Sequence, residues 1–409
     1  NNKQNMKKFS IIALIFLTTS TAYSQHPTCD GNRYKNFVFS QIDSTIGVLF
    51  GQNYTINNVS TNLYMDIYEP NSDPVPKGPL IIYIHGGGFY QGTRQEGIGI
   101  CSYFAYKGFV TATIDYRLID NPQPTIDSIQ VATGLVHAIS DAKAAIRYFV
   151  EDAANTNNFK VDTNYIFVVG GSAGGVTASN LSYLDSIDNI PTYFQNIINN
   201  NGGFSGNSSS NLQHSTPVKG VINYSGALWR ANWISPNEPP LFSVHETGDT
   251  MVNCNYGLSA AFNHPVYLYG SCMMHTQATS QGIYNSYYFI NSNGYGNYFS
   301  TPIVVDTVLQ RTSDFLYNII CSNITSVDDF SNTESTIKLF PNPTKERVYI
   351  ELVKPIDDLL EIMDITGRVL YQHHINAQII EIDVSNLSTG MYLLKLKNNP
   401  LSTTRLIIE

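Results

Sequence analysis

The feature that most narrows the fold is a short apolar run, Tyr165-Ile-Phe-Val-Val169, followed at once by Gly170-x-Ser172-x-Gly174 and a helix-forming segment. A continuous apolar run of this length reads as a strand buried on both faces. A serine set between strand and helix and flanked by glycines predicts a sharp turn with strained dihedrals at Ser172. The glycines remove side chains that would collide there. The helix behind the turn aims its N-terminus at the serine, where developing negative charge is favoured. Ser172 is therefore the candidate nucleophile. A glycine-rich turn with an idle serine is the plain alternative, and the strand–turn–helix context argues against it.

A second glycine motif, His85-Gly-Gly-Gly88, also follows an apolar run, Leu80-Ile-Ile-Tyr-Ile84. Such a stretch lets backbone N–H groups face inward and hold a developing oxyanion. Gly86 and Gly87 are the expected donors, with Ala173 supplying a third N–H. His85 reads as a residue that fixes the loop rather than as a proton carrier. No Lys-Ser/Thr pair follows the glycines, so a phosphate-binding loop is excluded.

Further apolar runs at 109–114, 218–223 and 241–245 alternate with helical patterns. One such pattern is a helix over 141–150, with Ser140 as its cap. The alternation predicts an α/β fold: a mostly parallel sheet flanked by helices. The character changes after Cys321. Residues 322–336 are polar and read as a linker. From 337 onward short alternating segments (348–352, 360–365, 379–384, 391–396) are separated by turn chemistry, which predicts a small all-β sandwich over 337–409.

Composition narrows the function classes. Charged residues make up only 13% and the net charge is -9, so no basic face for nucleic acid exists. Residues 1–24 read as upstream residues and a signal peptide. Lys7 and Lys8 precede the apolar stretch 11–17, cleavage is expected before Gln25, and Met6 is the expected start. The apolar stretch is too short to span a bilayer, and no later segment is long enough. All five cysteines follow it, and in an oxidising compartment an odd count leaves at least one unpaired. None sits at metal-ligand spacing, and neither a metal nor an organic cofactor is expected.

The two glycine motifs, with Asp115-Tyr-Arg-Leu118 and Asp141-Ala-Lys-Ala-Ala145, resemble the carboxylesterase/lipase branch of the α/β-hydrolase superfamily, including bacterial feruloyl and acetyl esterases. The resemblance covers roughly residues 30–321 and implies an α/β-hydrolase domain over 25–321. Arg117 and Asp141 would form an ion pair under the site or stand solvated at the surface. The family's triad runs Ser, acid, His. Asp249, in His245-Glu-Thr-Gly-Asp249, fits the acid, with a simple turn aspartate as the alternative. His245 reads as a core or supporting residue. Relatives carry a histidine after a Gly-x-Gly that follows the last strand. Here Gly294-Tyr-Gly-Asn297 places Asn297 at the expected His position, and an amide accepts no proton near neutral pH. His275, and less so His264, are alternative bases. The aromatic stretch 284–299 lines the substrate pocket or is ordinary core. The resemblance also implies a Cys29–Cys101 disulfide. Cys254–Cys272 is expected because both flank the loop carrying Asp249.

The tail, through Phe340-Pro-Asn-Pro343, Ile365-Thr-Gly-Arg368 and Leu387-Ser-Thr-Gly-Met-Tyr-Leu393, resembles the C-terminal sorting domain of type IX secretion substrates. That implies the type IX secretion machinery as a partner and a secreted or cell-surface location. A carbohydrate-binding or spacer sandwich is the alternative. Two functions follow as expectations. One is a serine carboxylic-ester hydrolase forming an acyl-serine at Ser172 on a small-molecule or polymer ester. The other is a non-catalytic relative that uses the fold to bind a polymer or partner.

Overall fold

The computed structural model describes residues 26, 28–121, 126–260, 266–300, 302–321, 337–352, 358–364, 368–377, 379–397 and 403–409. The signal segment, the 322–336 linker, His264 and the residues 365–367 of one tail motif lie outside them. The chain divides into two compact units, 1–325 and 326–409.

The first unit is built on one large sheet. Its strands are β1 (Ile42–Tyr54), β2 (Ser60–Pro70), β3 (Gly78–Ile84), β4 (Val110–Ile114), β5 (Val161–Gly171), β6 (Gly220–Tyr224), β8 (Leu241–Glu246) and β11 (Asn285–Ile290). A small three-stranded sheet holds β7 (Ala227–Leu228), β9 (Tyr256–Leu258) and β10 (Tyr267–Gly270). The large sheet runs in the order β1-β2-β4-β3-β5-β6-β8-β11. The β1–β2 and β2–β4 pairs are antiparallel, and every pair from β4 to β11 is parallel. With helices on both faces this is an α/β-hydrolase fold, as expected.

Why the parallel strands read as unbroken apolar runs is visible in β3. Leu80, Ile82 and Ile84 enter one core, and Ile81 and Tyr83 enter the other. On the first face pack α2 (Ser128–Asn155), α3 (Ala173–Tyr183), α4 (Thr192–Asn200) and α5 (Ser271–Ser280); on the second pack α1 (Ile98–Ala105) and α6 (Pro302–Cys321). Each fully buried Leu, Ile or Phe there contributes on the order of 1.5–3 kcal/mol relative to exposure.

Two expectations need correction. The helix over 141–150 is part of a longer one. It starts at Ser128, where Asp127 caps it and Gln130 reaches back to the Asp127 backbone. Ser140 is buried mid-helix, its Oγ 2.9 Å from that of Ser208. The disulfides are Cys29–Cys321 and Cys254–Cys272. Cys101 is not bonded to Cys29 but is a buried free thiol. It lies in α1 against the sheet, and burial pushes its pKa up to about 12. Cys29 instead ties the N-terminal segment to the end of α6.

The second unit is all β. One antiparallel sheet holds β12 (Ile337–Phe340), β13 (Arg347–Leu352) and β16 (Ile379–Asp383). The other holds β15 (Val369–Ile375), β14 (Asp358–Met363), β17 (Gly390–Leu396) and β18 (Thr403–Ile408). Val348 and Ile350 of the first sheet share one core with Leu360, Leu394 and Leu406 of the second, so the two sheets form a sandwich.

Candidate active site

The loops that follow β3, β5, β6, β8 and β11 all leave the carboxyl ends of parallel strands, where open α/β sheets place their ligands. They carry His85, Ser172, Ser225, Asp249 and Tyr295 in that order.

Ser172 stands between β5 and α3 with φ 52° and ψ -121°, the strained geometry expected of the turn. Its N–H donates to the Tyr224 carbonyl at 2.8 Å, and its carbonyl accepts from Val176 at 2.9 Å. The strain persists because the surroundings fix it. A Cβ on Gly170 would collide with the backbone of Gly174, and one on Gly174 with the carbonyls of Ile84 and His85. The glycine pattern therefore lets the first turn of α3 press against the end of β3.

The glycine loop lies beside the serine. A Cβ on Gly86 would meet Ser172 Cβ at 3.4 Å, and Gly87 has φ +96°, a conformation that glycine tolerates. Among the described residues the N–H groups of Gly86, Gly87 and Ala173 donate to no backbone or side-chain acceptor. His85 is buried, with Nδ1 2.8 Å from the Gly86 carbonyl and its ring stacked 4.2 Å from that of Tyr116. Burial lowers its pKa, so it stays neutral and braces the loop. The Tyr116 hydroxyl donates to the carbonyls of His85 and Gly86 at 3.2 and 3.0 Å.

Tyr116 is held by its neighbour. Arg117 and Asp141 are both buried, and Arg117 Nη2 lies 2.8 Å from Asp141 Oδ1. The Arg117 backbone N–H and Nε also reach this carboxylate, at 2.7 and 3.0 Å. The Ser208 hydroxyl adds a bond of 2.5 Å. Of the two expectations for this pair, the buried ion pair is the one observed.

Asp249 is buried just past β8. Its Oδ1 accepts the N–H groups of Met251 and Val252 at 2.7 and 2.9 Å. Among the described residues its Oδ2 accepts no hydrogen bond, and it lies 3.3 Å from His245 Nε2. His245 is already engaged, with Nε2 2.8 Å from the Val252 carbonyl and Nδ1 2.6 Å from Ser271 Oγ.

The base positions fall apart in space. Asn297 opens a short turn, 297–299, after β11 and is exposed. Its amide folds back on Gly294, beside Glu246. No hydrogen bond among the described residues joins it to Ser172 or Asp249. His275 is buried in α5, with Nδ1 2.8 Å from Asn285 Oδ1 and its ring against Tyr287 and Phe289. Burial brings its pKa down to about 4, and no described contact joins it to Ser172.

Tyr295, two residues before Asn297 in the same loop, has an exposed side chain. Sequence reasoning had this residue only as one of an aromatic stretch. Partial desolvation of the phenol raises its pKa above the ordinary tyrosine value, and the charge of Asp249 adds to the rise. The loop is pinned next to the serine by Tyr298, whose hydroxyl donates to Ser225 Oγ at 2.9 Å. Beside Ser172 lies a tight crevice, with free volume of only about 10 Å³, whose apolar walls include Phe89, Leu135, Val176, Trp229 and Leu268.

Comparison with known proteins bears out both resemblances. The BD-FAE family matches residues 65–228, which contain both glycine motifs, and the secretion system C-terminal sorting domain matches residues 338–409. Esterase LipC of Mycobacterium tuberculosis is 27% identical over 150 residues, 36% of this chain and 31% of the relative. The para-nitrobenzyl esterase of Bacillus subtilis is 30% identical over 120 residues, 29% of this chain and 24% of the relative. The chain thus spans about a third or less of the length of the curated relatives it matches. Among solved structures, Thermogutta terrifontis esterase 2 phosphorylated by paraoxon aligns with a TM-score of 0.48 at 19% identity, over 69% of this chain and 95% of that one. A truncated form of a carbohydrate esterase from gut microbiota aligns with a TM-score of 0.49 at 15% identity, over 68% and 96%.

Proposed function

We propose that this chain is an exported serine carboxylic-ester hydrolase. The observation that carries the reading is the strained Ser172 elbow set against unspent N–H groups of the glycine loop, with an apolar crevice beside it. Ser172 Oγ attacks the ester carbonyl, and Gly86, Gly87 and Ala173 hold the oxyanion. The alcohol leaves, and water then attacks the acyl-serine to release the acid. Asp249 is the triad acid; its unoccupied Oδ2 is the acceptor that an imidazole N–H would take.

Asn297 stands where that imidazole is expected, so turnover at neutral pH is impaired. Loss of a triad member costs on the order of 10⁴–10⁶ in kcat and leaves a residual rate from oxyanion stabilisation. The same asparagine favours a second reading, a non-catalytic relative that binds a polymer or partner. Fluorophosphonate labelling and turnover of a short p-nitrophenyl ester, compared between parent and Ser172→Ala, separate the two. The sorting domain at 338–409 supports export through the type IX machinery to the cell surface or beyond. The mature chain is then expected to begin near Gln25 and to lose or exchange its tail.

A further inference from the structure

Side chains two apart on a strand share a face. Tyr267 and Tyr269 of β10 therefore lie on one side of the small sheet, and Tyr256 of β9, paired with Tyr269, joins them. The Tyr256 ring stands 4.6 Å from that of Tyr269 and 5.8 Å from that of Tyr267, centroid to centroid. Tyr256 and Tyr267 are 51% and 52% exposed. Rings grouped in this way and left in water mark a binding surface. On the other side of β10, Leu228 of β7 pairs with Tyr269, so Trp229 and Arg230 emerge next to the rings. The Cys254–Cys272 disulfide joins the segment before β9 to the start of α5 and holds the arrangement in place.

Two adjoining hollows of about 340 and 440 Å³ open here, and they share Arg230 and Tyr269. Both have the size of a small-molecule site. Trp229 lines the smaller hollow and also the crevice beside Ser172, so a ligand in the cleft stands one side chain away from the nucleophile. Its indole N–H donates to the Tyr193 hydroxyl at 3.1 Å, which fixes this shared wall. Among the described residues that line either hollow, Arg230 alone is charged. Its side chain is exposed and makes no hydrogen bond or ion pair among the described residues. Asp127 and Asp188, which adjoin lining residues in sequence, are turned to the backbone N–H groups of Gln130 and Asp185.

We propose that this cleft is a subsite for an acidic saccharide, with Arg230 taking its carboxylate. The proposal rests on the ester-hydrolase reading and deepens it by naming a substrate class. An unpaired guanidinium is a fork for a carboxylate. The exposed tyrosine rings take the C–H face of a sugar. The amides of Asn189, Asn232 and Gln277 in the larger hollow offer donors and acceptors to hydroxyls. A neutral sugar would leave Arg230 without a partner, and a plain aromatic acid would leave the amides without one. A sugar ring bearing a carboxylate uses all three.

The test is calorimetric titration of the full secreted chain, carrying Ser172→Ala so that nothing is cleaved. The probes are trigalacturonate, the same trisaccharide with its carboxylates as methyl esters, and 4-hydroxybenzoate. Trigalacturonate should bind about tenfold or more tighter than its methyl ester, the effect of one hydrogen-bonded charge. Arg230→Gln should erase that preference and Arg230→Glu should invert it, which a structural role would not do. Tyr267→Ala should weaken both trisaccharides. No binding of trigalacturonate up to about 10 mM, equal affinity for the two trisaccharides, or a preference that survives Arg230→Gln overturns the subsite. Tighter binding of 4-hydroxybenzoate than of trigalacturonate overturns the saccharide. The hydrolase reading is scored apart, by acetylation of Ser172 with p-nitrophenyl acetate in the parent and in Arg230→Gln. An acyl-serine without saccharide binding overturns the subsite and keeps the hydrolase, and saccharide binding without an acyl-serine does the reverse.

Discussion

Replacing Asp141 by Asn keeps the shape of the side chain and removes its charge. The structure sets the size of the effect. Arg117 and Asp141 have side-chain exposures of 1% and 0%, so the guanidinium left behind has no water to turn to. Removing one partner of a buried pair costs about 3–5 kcal/mol, because the other charge stays buried and uncompensated. At ~2–4 °C per kcal/mol for a unit of this size, the thermal midpoint should fall by on the order of 10 °C. Removing both charges together is often near neutral, so the Arg117→Met/Asp141→Leu double variant should recover most of the loss. The site should register the same change. Arg117 adjoins Tyr116, whose hydroxyl braces the glycine loop, so Asp141→Asn should also slow ester hydrolysis. Circular dichroism melts of the parent, Arg117→Met, Asp141→Leu and the double at one scan rate form the cycle. Single losses that simply add in the double variant would refute the reasoning.

Asn297→His should change neutral-pH hydrolysis by less than about tenfold, short of the usual contribution of a positioned general base, because the side chain at 297 folds back on Gly294 and no described contact joins it to Ser172. Stopped-flow assays of p-nitrophenyl acetate would show it, and a gain of about 10²-fold that vanishes in a Ser172→Ala background would mean that position 297 does reach the serine. Cys29→Ser should destabilise the first unit by about 2–4 kcal/mol, since the Cys29–Cys321 bond spans 292 residues of sequence. Non-reducing peptide mapping should recover that pairing and find Cys101 unreactive until the chain unfolds.

How much of this was legible in the sequence depended on how local each determinant is. β3 and β5 were readable because a strand buried on both faces must be apolar throughout, and Ser172 because its elbow needs glycines at fixed offsets. β1 was not, since nearly all of its side chains are at least partly exposed and leave no apolar run. The true start of α2 was missed because Ser140 is a plausible cap in isolation, and only Ser208, far along the chain, explains its place inside a helix. The Cys29 pairing failed for the same reason. Spacing does not say that Cys29 meets the end of α6 while α1 buries Cys101. Tyr295 had no motif at all. It stands two residues before the expected histidine, in a loop anchored beside the serine by the Tyr298–Ser225 bond, a contact that no local spacing announces.

The central claim is that Ser172 is a working nucleophile, and acyl trapping tests it most directly. The secreted chain is mixed with p-nitrophenyl acetate, quenched in acid, digested, and the peptide containing Ser172 is weighed. The account predicts an acetylated Ser172 in the parent, with slow continued release of p-nitrophenol, and no adduct on that peptide in Ser172→Ala. A parent that forms no acyl-serine at any pH up to 10, or that releases p-nitrophenol no faster than Ser172→Ala, would contradict it.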